Sequence, residues 1–159
     1  DREPTAKEVW ESIDDPKKYD EVVFCGFGEP TLRLDVIKEV AKKIKDSGGR
    51  VRLNTNGHGN VINKRNILPE LSGLIDEVSV SLNADSSEAY DEICQPLPMF
   101  RNGIYEKIKE FIEEAKKHIP EVQASIVTHQ RGVDETRCKD IAGKDFGVKY
   151  RARRYNIVG

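Results

Sequence analysis

Apolar side chains recur along this chain at two spacings, every three to four residues in some stretches and in short runs or alternation in others. The two kinds of stretch take turns. Thr5-Ala6-Lys7-Glu8 reads as a capping box that opens a helix with Val9, Trp10 and Ile13 on one face. Val22-Val23-Phe24-Cys25 is a short apolar run that ends at glycines, the mark of a buried strand. Leu34, Ile37, Ala41 and Ile44 share a helix face, and Gly48-Gly49 stop it. A second strand is predicted over 51–55, closed by Asn56-Gly57, followed by a connection over 60–72 with a short helix near Pro69. A third strand is predicted over 78–83. Asp85-Ser86-Ser87-Glu88 then caps a short helix carrying Tyr90 and Ile93, and Pro96 and Pro98 break the chain. Ile104, Ile108, Phe111, Ile112 and Ala115 mark the longest helix, and a fourth strand follows over 122–128. Asp134 opens a helix bearing Cys138, Ile141 and Ala142, and a fifth strand is predicted over 148–155.

Strand, helix, strand at this spacing predicts parallel βα units with right-handed connections. Side-chain alternation narrows the architecture. Val51, Leu53 and Thr55 oppose Arg52, Asn54 and Asn56; Val78, Val80 and Leu82 oppose Ser79, Ser81 and Asn83. Ala124 and Ile126 oppose Gln123 and Ser125; Val148, Tyr150 and Ala152 oppose Lys149, Arg151 and Arg153. A doubly wound sheet, covered on both faces, calls for continuously apolar strands. A closed barrel fills its interior with branched apolar side chains. One apolar and one polar face predicts instead an incomplete (β/α) barrel, an α/β fold of about five parallel strands. Its helices lie on the outer face only, and its concave face is a wet ligand cavity. The strands are expected to end near Gly28, Asn56, Asn83, Thr128 and Asn156.

The 159 residues fit one domain with a substantial core. The formal net charge of −2 gives no global attraction to nucleic acid or to an anionic membrane. There is no apolar run of membrane-spanning length and no signal-peptide pattern at Asp1-Arg2-Glu3. Cys25, Cys94 and Cys138 are odd in number and far apart, which is neither a disulfide framework nor a metal pair. They are read as buried small hydrophobes, with a reducing cytoplasm as the expected location.

In folds of this kind ligands sit at the carboxyl ends of the strands. The first strand ends Gly26-Phe27-Gly28-Glu29-Pro30-Thr31, where glycines let the backbone approach a ligand and Glu29 adds an acceptor suited to an ammonium group. The second ends Asn54-Thr55-Asn56-Gly57-His58-Gly59-Asn60, dense in hydrogen-bonding groups, and the third ends Ser81-Leu82-Asn83. The fifth brings Arg151, Arg153 and Arg154, suited to a carboxylate or phosphate. Ser125 and Arg153 are candidates from position alone. His58 is a candidate catalytic residue whose ordinary reading is structural.

Gly26-Phe27-Gly28-Glu29-Pro30, Thr55-Asn56-Gly57 and Ser81-Leu82-Asn83 at successive strand ends resemble the Gly-Gly-Glu-Pro, Thr-Asn-Gly and following-strand signatures of radical S-adenosylmethionine (SAM) enzymes. The stretches 24–30 and 52–60 resemble in particular the radical SAM proteins associated with TatD-type nucleases. The resemblance implies that Gly26, Phe27 and Gly28 offer backbone groups to the SAM ammonium, with Glu29 near it. It implies that Asn54 and Asn56 border the same cofactor site and that Ser81 and Asn83 hold ribose or carboxylate. It also implies a 4Fe-4S cluster held by a CxxxCxxC motif, and this chain has no such motif. The expectation is therefore a single partial barrel over 1–159 lacking the first strand and cluster loop, a truncated piece of a longer enzyme that binds no cluster by itself. Its exposed first strand could support self-association. Two other readings stay open. One is a cluster-free (β/α) enzyme acting on an anionic metabolite through Arg151, Arg153 and Glu29. The other is a non-catalytic nucleotide-binding module.

Overall fold

A computed structural model describes residues 2–26, 28–101 and 103–154. Over these, five strands form one parallel sheet: β1 (Val22–Phe24), β2 (Val51–Thr55), β3 (Glu77–Ser81), β4 (Glu121–Val127) and β5 (Lys149–Arg153). Spatial order equals chain order, so β1 and β5 are the edges. Each crossover then advances one strand in the same sense, and right-handed connections carry every intervening helix to the same side. A doubly wound sheet would need the order to reverse once. It does not, and the partial-barrel expectation holds.

The helices are α1 (Ala6–Ser12), α2 (Leu34–Asp46), α3 (Gly59–Ile62), α4 (Leu68–Leu71), α5 (Ser87–Cys94), α6 (Ile104–His118) and α7 (Glu135–Asp140). The expected capping box is formed: Thr5 Oγ1 accepts from Glu8 N, and the Glu8 carboxylate accepts from Thr5 N at 2.8 Å. Ser86 and Asp134 cap α5 and α7 through their side chains in the same way. The stripe Val36, Ile37, Val40, Ala41 and Ile44 of α2 and the stripe Ile104, Ile108, Phe111, Ile112 and Ala115 of α6 are buried. They join Leu53, Val78, Val80 and Ala124 from the outward rows of the sheet in one core. Each large aliphatic side chain fully removed from water here contributes about 1.5–3 kcal/mol.

Four strands have boundaries that differ from the sequence expectation, β5 in starting at Lys149 rather than Val148. β1 ends one residue early, at Phe24. β3 starts at Glu77 and leaves the ladder after Ser81, because Leu82 N turns back to Val80 O and Asn83 adopts a positive φ of 58°. β4 runs Glu121–Val127, one residue earlier than its apolar pattern indicates. The expected fifth-strand end at Tyr155 and Asn156 lies outside the described residues. Helix α7 passes into a π-turn over Ile141–Asp145, which periodicity alone does not signal.

The concave face carries polar rows, as the alternation predicts. Asn54, Ser79, Gln123 and Lys149 align across four strands, and Ser81, Ser125 and Arg151 across three. It is not wet throughout, however. Ser79, Gln123 and Ser125 are buried, so the middle of the face is closed by its own curvature and side chains. Its amino end is sealed by ion pairs: Arg50 with Glu121 at 2.8 Å and Glu77 at 3.3 Å, Arg52 with Glu21 at 2.9 Å, and Lys149 with Glu121. Asp76 accepts from Lys45 and from the amide of Val51, which fixes the start of β2. Pairs this close to solvent are worth little singly. Their effect is to match charge at one end of the face and leave the carboxyl end as its open side. Among the described residues, no helix is long and apolar enough to cross a membrane.

Candidate functional site

The site is built from the turns that follow β1 and β2. After β1 the chain reverses at Gly28, whose φ of 92° suits glycine. It then enters a 3-10 turn over Pro30–Arg33 with Glu29 as the N-cap. The Glu29 carboxylate does more than cap. Oε1 accepts from Thr31 N at 3.1 Å, Thr31 Oγ1 at 2.6 Å and Thr55 Oγ1 at 2.7 Å, and Oε2 accepts from Asn56 N at 2.7 Å. Thr31 and Thr55 are buried. One carboxylate therefore ties the first loop to the end of the second strand. Sequence reasoning cast Glu29 as an acceptor facing an ammonium. The structure leaves only part of Oε2 available for that, because the rest of the carboxylate is engaged with protein donors.

After β2, Thr55 Oγ1 accepts from Gly57 N at 3.0 Å and Asn56 Oδ1 accepts from His58 N at 2.9 Å, two side-chain turns in succession. Gly57 has a φ of 82°, and a Cβ there would lie 3.0 Å from side-chain carbons of both Ile108 and Val80. The Thr-Asn-Gly signature thus has a packing reason for its glycine. Gly57→Ala is expected to destabilise the chain by about 2–4 kcal/mol, from the left-handed backbone and the overpacking together. Urea unfolding measures it, and an unchanged midpoint would show that α6 gives way freely.

Between these turns lies a cavity of about 180 Å³ lined by Cys25, Gly26, Gly28, Glu29, Pro30, Asn54, Thr55, Asn56, Ser81 and Arg153. Seven of the ten residues expected from sequence meet here. Phe27 lies outside the described residues. Asn83 and Ser125 do not line the cavity. Ser125 is buried; its hydroxyl donates to Val80 O at 3.4 Å and its carbonyl accepts from Leu82 N and Asn83 N, so it secures the end of β3. Asn83 donates through Nδ2 to Cys94 Sγ at 3.7 Å. Two acceptors in this region, Asn54 Oδ1 and Asn83 Oδ1, are buried without a hydrogen-bond partner. Buried acceptors are rarely left in that state, and a donor from a ligand or water would satisfy them.

His58 is buried, with Nε2 3.0 Å from the Tyr90 hydroxyl and its ring beside Phe100. Burial lowers its pKa, against the opposing pull of the Glu29 charge, and burial raises that of Tyr90. The contact fastens α5 to the end of β2, and burial disfavours charge on both rings. Tyr90 and Cys94 stood out in the sequence only as a helix-face residue and a lone thiol. Their proximity to the site comes from tertiary packing. Of the other partners, Thr31 carries a local signal in Glu29-Pro30-Thr31, where an acceptor stands two residues before a donor ahead of a helical turn, and Thr55, twenty-six residues on, does not.

The cysteines do not converge. Cys138 is buried, as expected, but Cys94 is half-buried and Cys25 is exposed at the cavity mouth, which corrects the reading of all three as buried hydrophobes. Among the described residues no group of three His, Cys, Asp or Glu side chains could hold a metal ion. A second cleft, about 630 Å³, runs along the unpaired edge of β1, with Val9, Ile13, Val22, Phe24 and Val36 among its walls.

The family model described as the Radical SAM superfamily matches residues 1–141. Among curated proteins none matches the chain. The solved structure of TYW1 with a lysine-pyruvate adduct bound resembles it with a TM-score of 0.64 at 18% identity, over 94% of this chain and 48% of that one. The likeness at this identity is one of fold, and the chain spans about half the length of that protein's chain.

Proposed function

The chain belongs to the radical SAM superfamily, and from that premise we propose that it is the SAM-binding core of an enzyme whose complete form cleaves SAM reductively with a 4Fe-4S cluster. The observation that carries the reading is the cavity at the carboxyl ends of β1–β3, with two unsatisfied buried acceptors beside it. Its donor set suits the charged end of SAM. The backbone of Gly26 and Gly28 and Asn54 Oδ1 meet the ammonium, with the remaining capacity of Glu29 Oε2 nearby. Arg153 and Asn56 suit the carboxylate, and Ser81 and Asn83 the ribose or carboxylate. At about 180 Å³ the cavity is smaller than the ~300–1,000 Å³ usual for a whole ligand. It fits the methionyl end, with the remainder of SAM extending over the open rim.

When bound and reduced, SAM supplies a 5′-deoxyadenosyl radical. The work of this chain is to bind the charged end, orient it through main chain fixed by Glu29, and keep polar partners around it. The residues present do not fit a cluster, since Cys25, Cys94 and Cys138 lie in three separate elements. The thiolates would come from a further segment. The open edge of β1 offers unpaired backbone between apolar walls, which is what an added strand requires.

Calorimetric titration of S-adenosylhomocysteine, which keeps the ammonium and carboxylate, tests the pocket. Asn54→Ala and Asn83→Ala should each weaken binding by about ten- to a hundredfold, the loss of a hydrogen bond to a charged or strongly polar ligand group. Unchanged affinity in both variants would remove the assignment.

A further inference from the structure

The charges on the concave face are segregated. At its amino end three carboxylates, Glu21, Glu77 and Glu121, face three cations, Arg50, Arg52 and Lys149, and all six are paired. At its carboxyl end the pattern stops. Arg151 and Arg153 are exposed, and their side chains make no ion pair or hydrogen bond among the described residues. They follow Lys149 on the same face of β5 by alternation. Arg151 stands in the row Ser81–Ser125–Arg151, and Ser81 lines the cavity. Arg153, one step further along, lines the cavity itself. The one acidic side chain lining that cavity, Glu29, is already held by four protein donors.

We propose that the substrate handled at this site carries an anionic group, a carboxylate or phosphate, and that Arg151 binds it beside the SAM cavity. The inference rests on the reading of that cavity as the SAM site. Three considerations support it. Adjacent strands are about 4.8 Å apart, so Arg151 stands two strands, roughly 10 Å, from the Ser81 position. That leaves room for a second small molecule against a ligand held by β1–β3. Arginine presents a planar fork that pairs with carboxylate or phosphate through two parallel hydrogen bonds, a geometry lysine lacks. And the carboxylates at the far end of the face are each paired with a cation, whereas the Arg151 and Arg153 guanidinium groups at the carboxyl rim have no ion-pair partner among the described residues and attract anions. Arg154, beyond the end of β5, lies off this row and has no part in the proposal.

The test is calorimetric titration of the chain with two probes, inorganic pyrophosphate and citrate, at low ionic strength. At least one should bind the wild type. Arg151→Gln should weaken that binding tenfold or more, Arg151→Lys should fall between, and Arg154→Gln should stay within twofold of wild type. The tighter probe identifies the group as phosphate or carboxylate. If neither probe binds, or if Arg151→Gln and Arg154→Gln lose affinity equally, the charge is diffuse and the proposal is wrong. Titration of the wild type with S-adenosylhomocysteine separates the two readings. If that ligand fails while an anion binds through Arg151, the SAM assignment falls and the anion site stands.

Discussion

Glu29→Ala is expected to lower stability by about 3–5 kcal/mol and to abolish measurable binding of S-adenosylhomocysteine. The reasoning starts from the four donors that converge on this carboxylate. A hydrogen bond to a charged group contributes ~1.5–3 kcal/mol, and a buried donor left without a partner costs ~1–3 kcal/mol, with the contributions far from additive. The hydroxyls of Thr31 and Thr55 are the donors most deprived, since both residues are buried. The loop after β1 and the end of β2 then lose their common anchor, and the cavity between them loses its shape. Glu29→Gln separates geometry from charge. Its amide oxygen can still accept from Thr31 and Thr55, but its NH₂ would face the amide N–H of Asn56, donor against donor. It should lie between wild type and alanine in thermal melts. A Gln variant as stable as wild type, binding ligand as well, would mean that the carboxylate does not organise the site.

The polar–apolar alternation made the sheet legible because it reports a local fact, which side of a strand each residue faces. Four strands with the same alternation admit few architectures, and strand order follows from handedness. The cavity residues were legible for a related reason: at the carboxyl end of a parallel strand the chain must leave the sheet, and Gly26, Gly28, Asn56 and Gly57 are the residue types that let it turn there. What the sequence did not display are relations between elements. Nothing local says that Glu29 reaches Thr55 and Asn56, twenty-six and twenty-seven residues on. Nor does it say that Tyr90 on α5 meets His58, or that the Ser125 hydroxyl and carbonyl bond to the end of β3. The exposure of Cys25 was missed because an apolar run was read to its last residue, while the ladder ends at Phe24.

The second large effect concerns iron. A 4Fe-4S cluster needs closely grouped thiolates, four or three with one iron left for another ligand. Cys25 lies just past β1, Cys94 ends α5, and Cys138 lies within α7 with its thiol pushed up to about 12 by burial. A buried thiol so raised is protonated near neutrality and unreactive. Bringing these three together would require unpacking α7 from the core. The chain of 159 residues should therefore take up no stoichiometric iron or sulfide on anaerobic reconstitution and form no 5′-deoxyadenosine from SAM under a strong reductant. A longer form that adds a strand to the β1 edge and a cysteine triplet in its loop should do both.

That comparison is the most direct measurement of the account: iron content and 5′-deoxyadenosine, determined side by side for this chain and for the protein extended through such a segment. The account predicts neither for the chain and both for the extended form. Iron uptake with 5′-deoxyadenosine production by the chain alone, or an extended form that binds cluster yet leaves SAM intact, would contradict it.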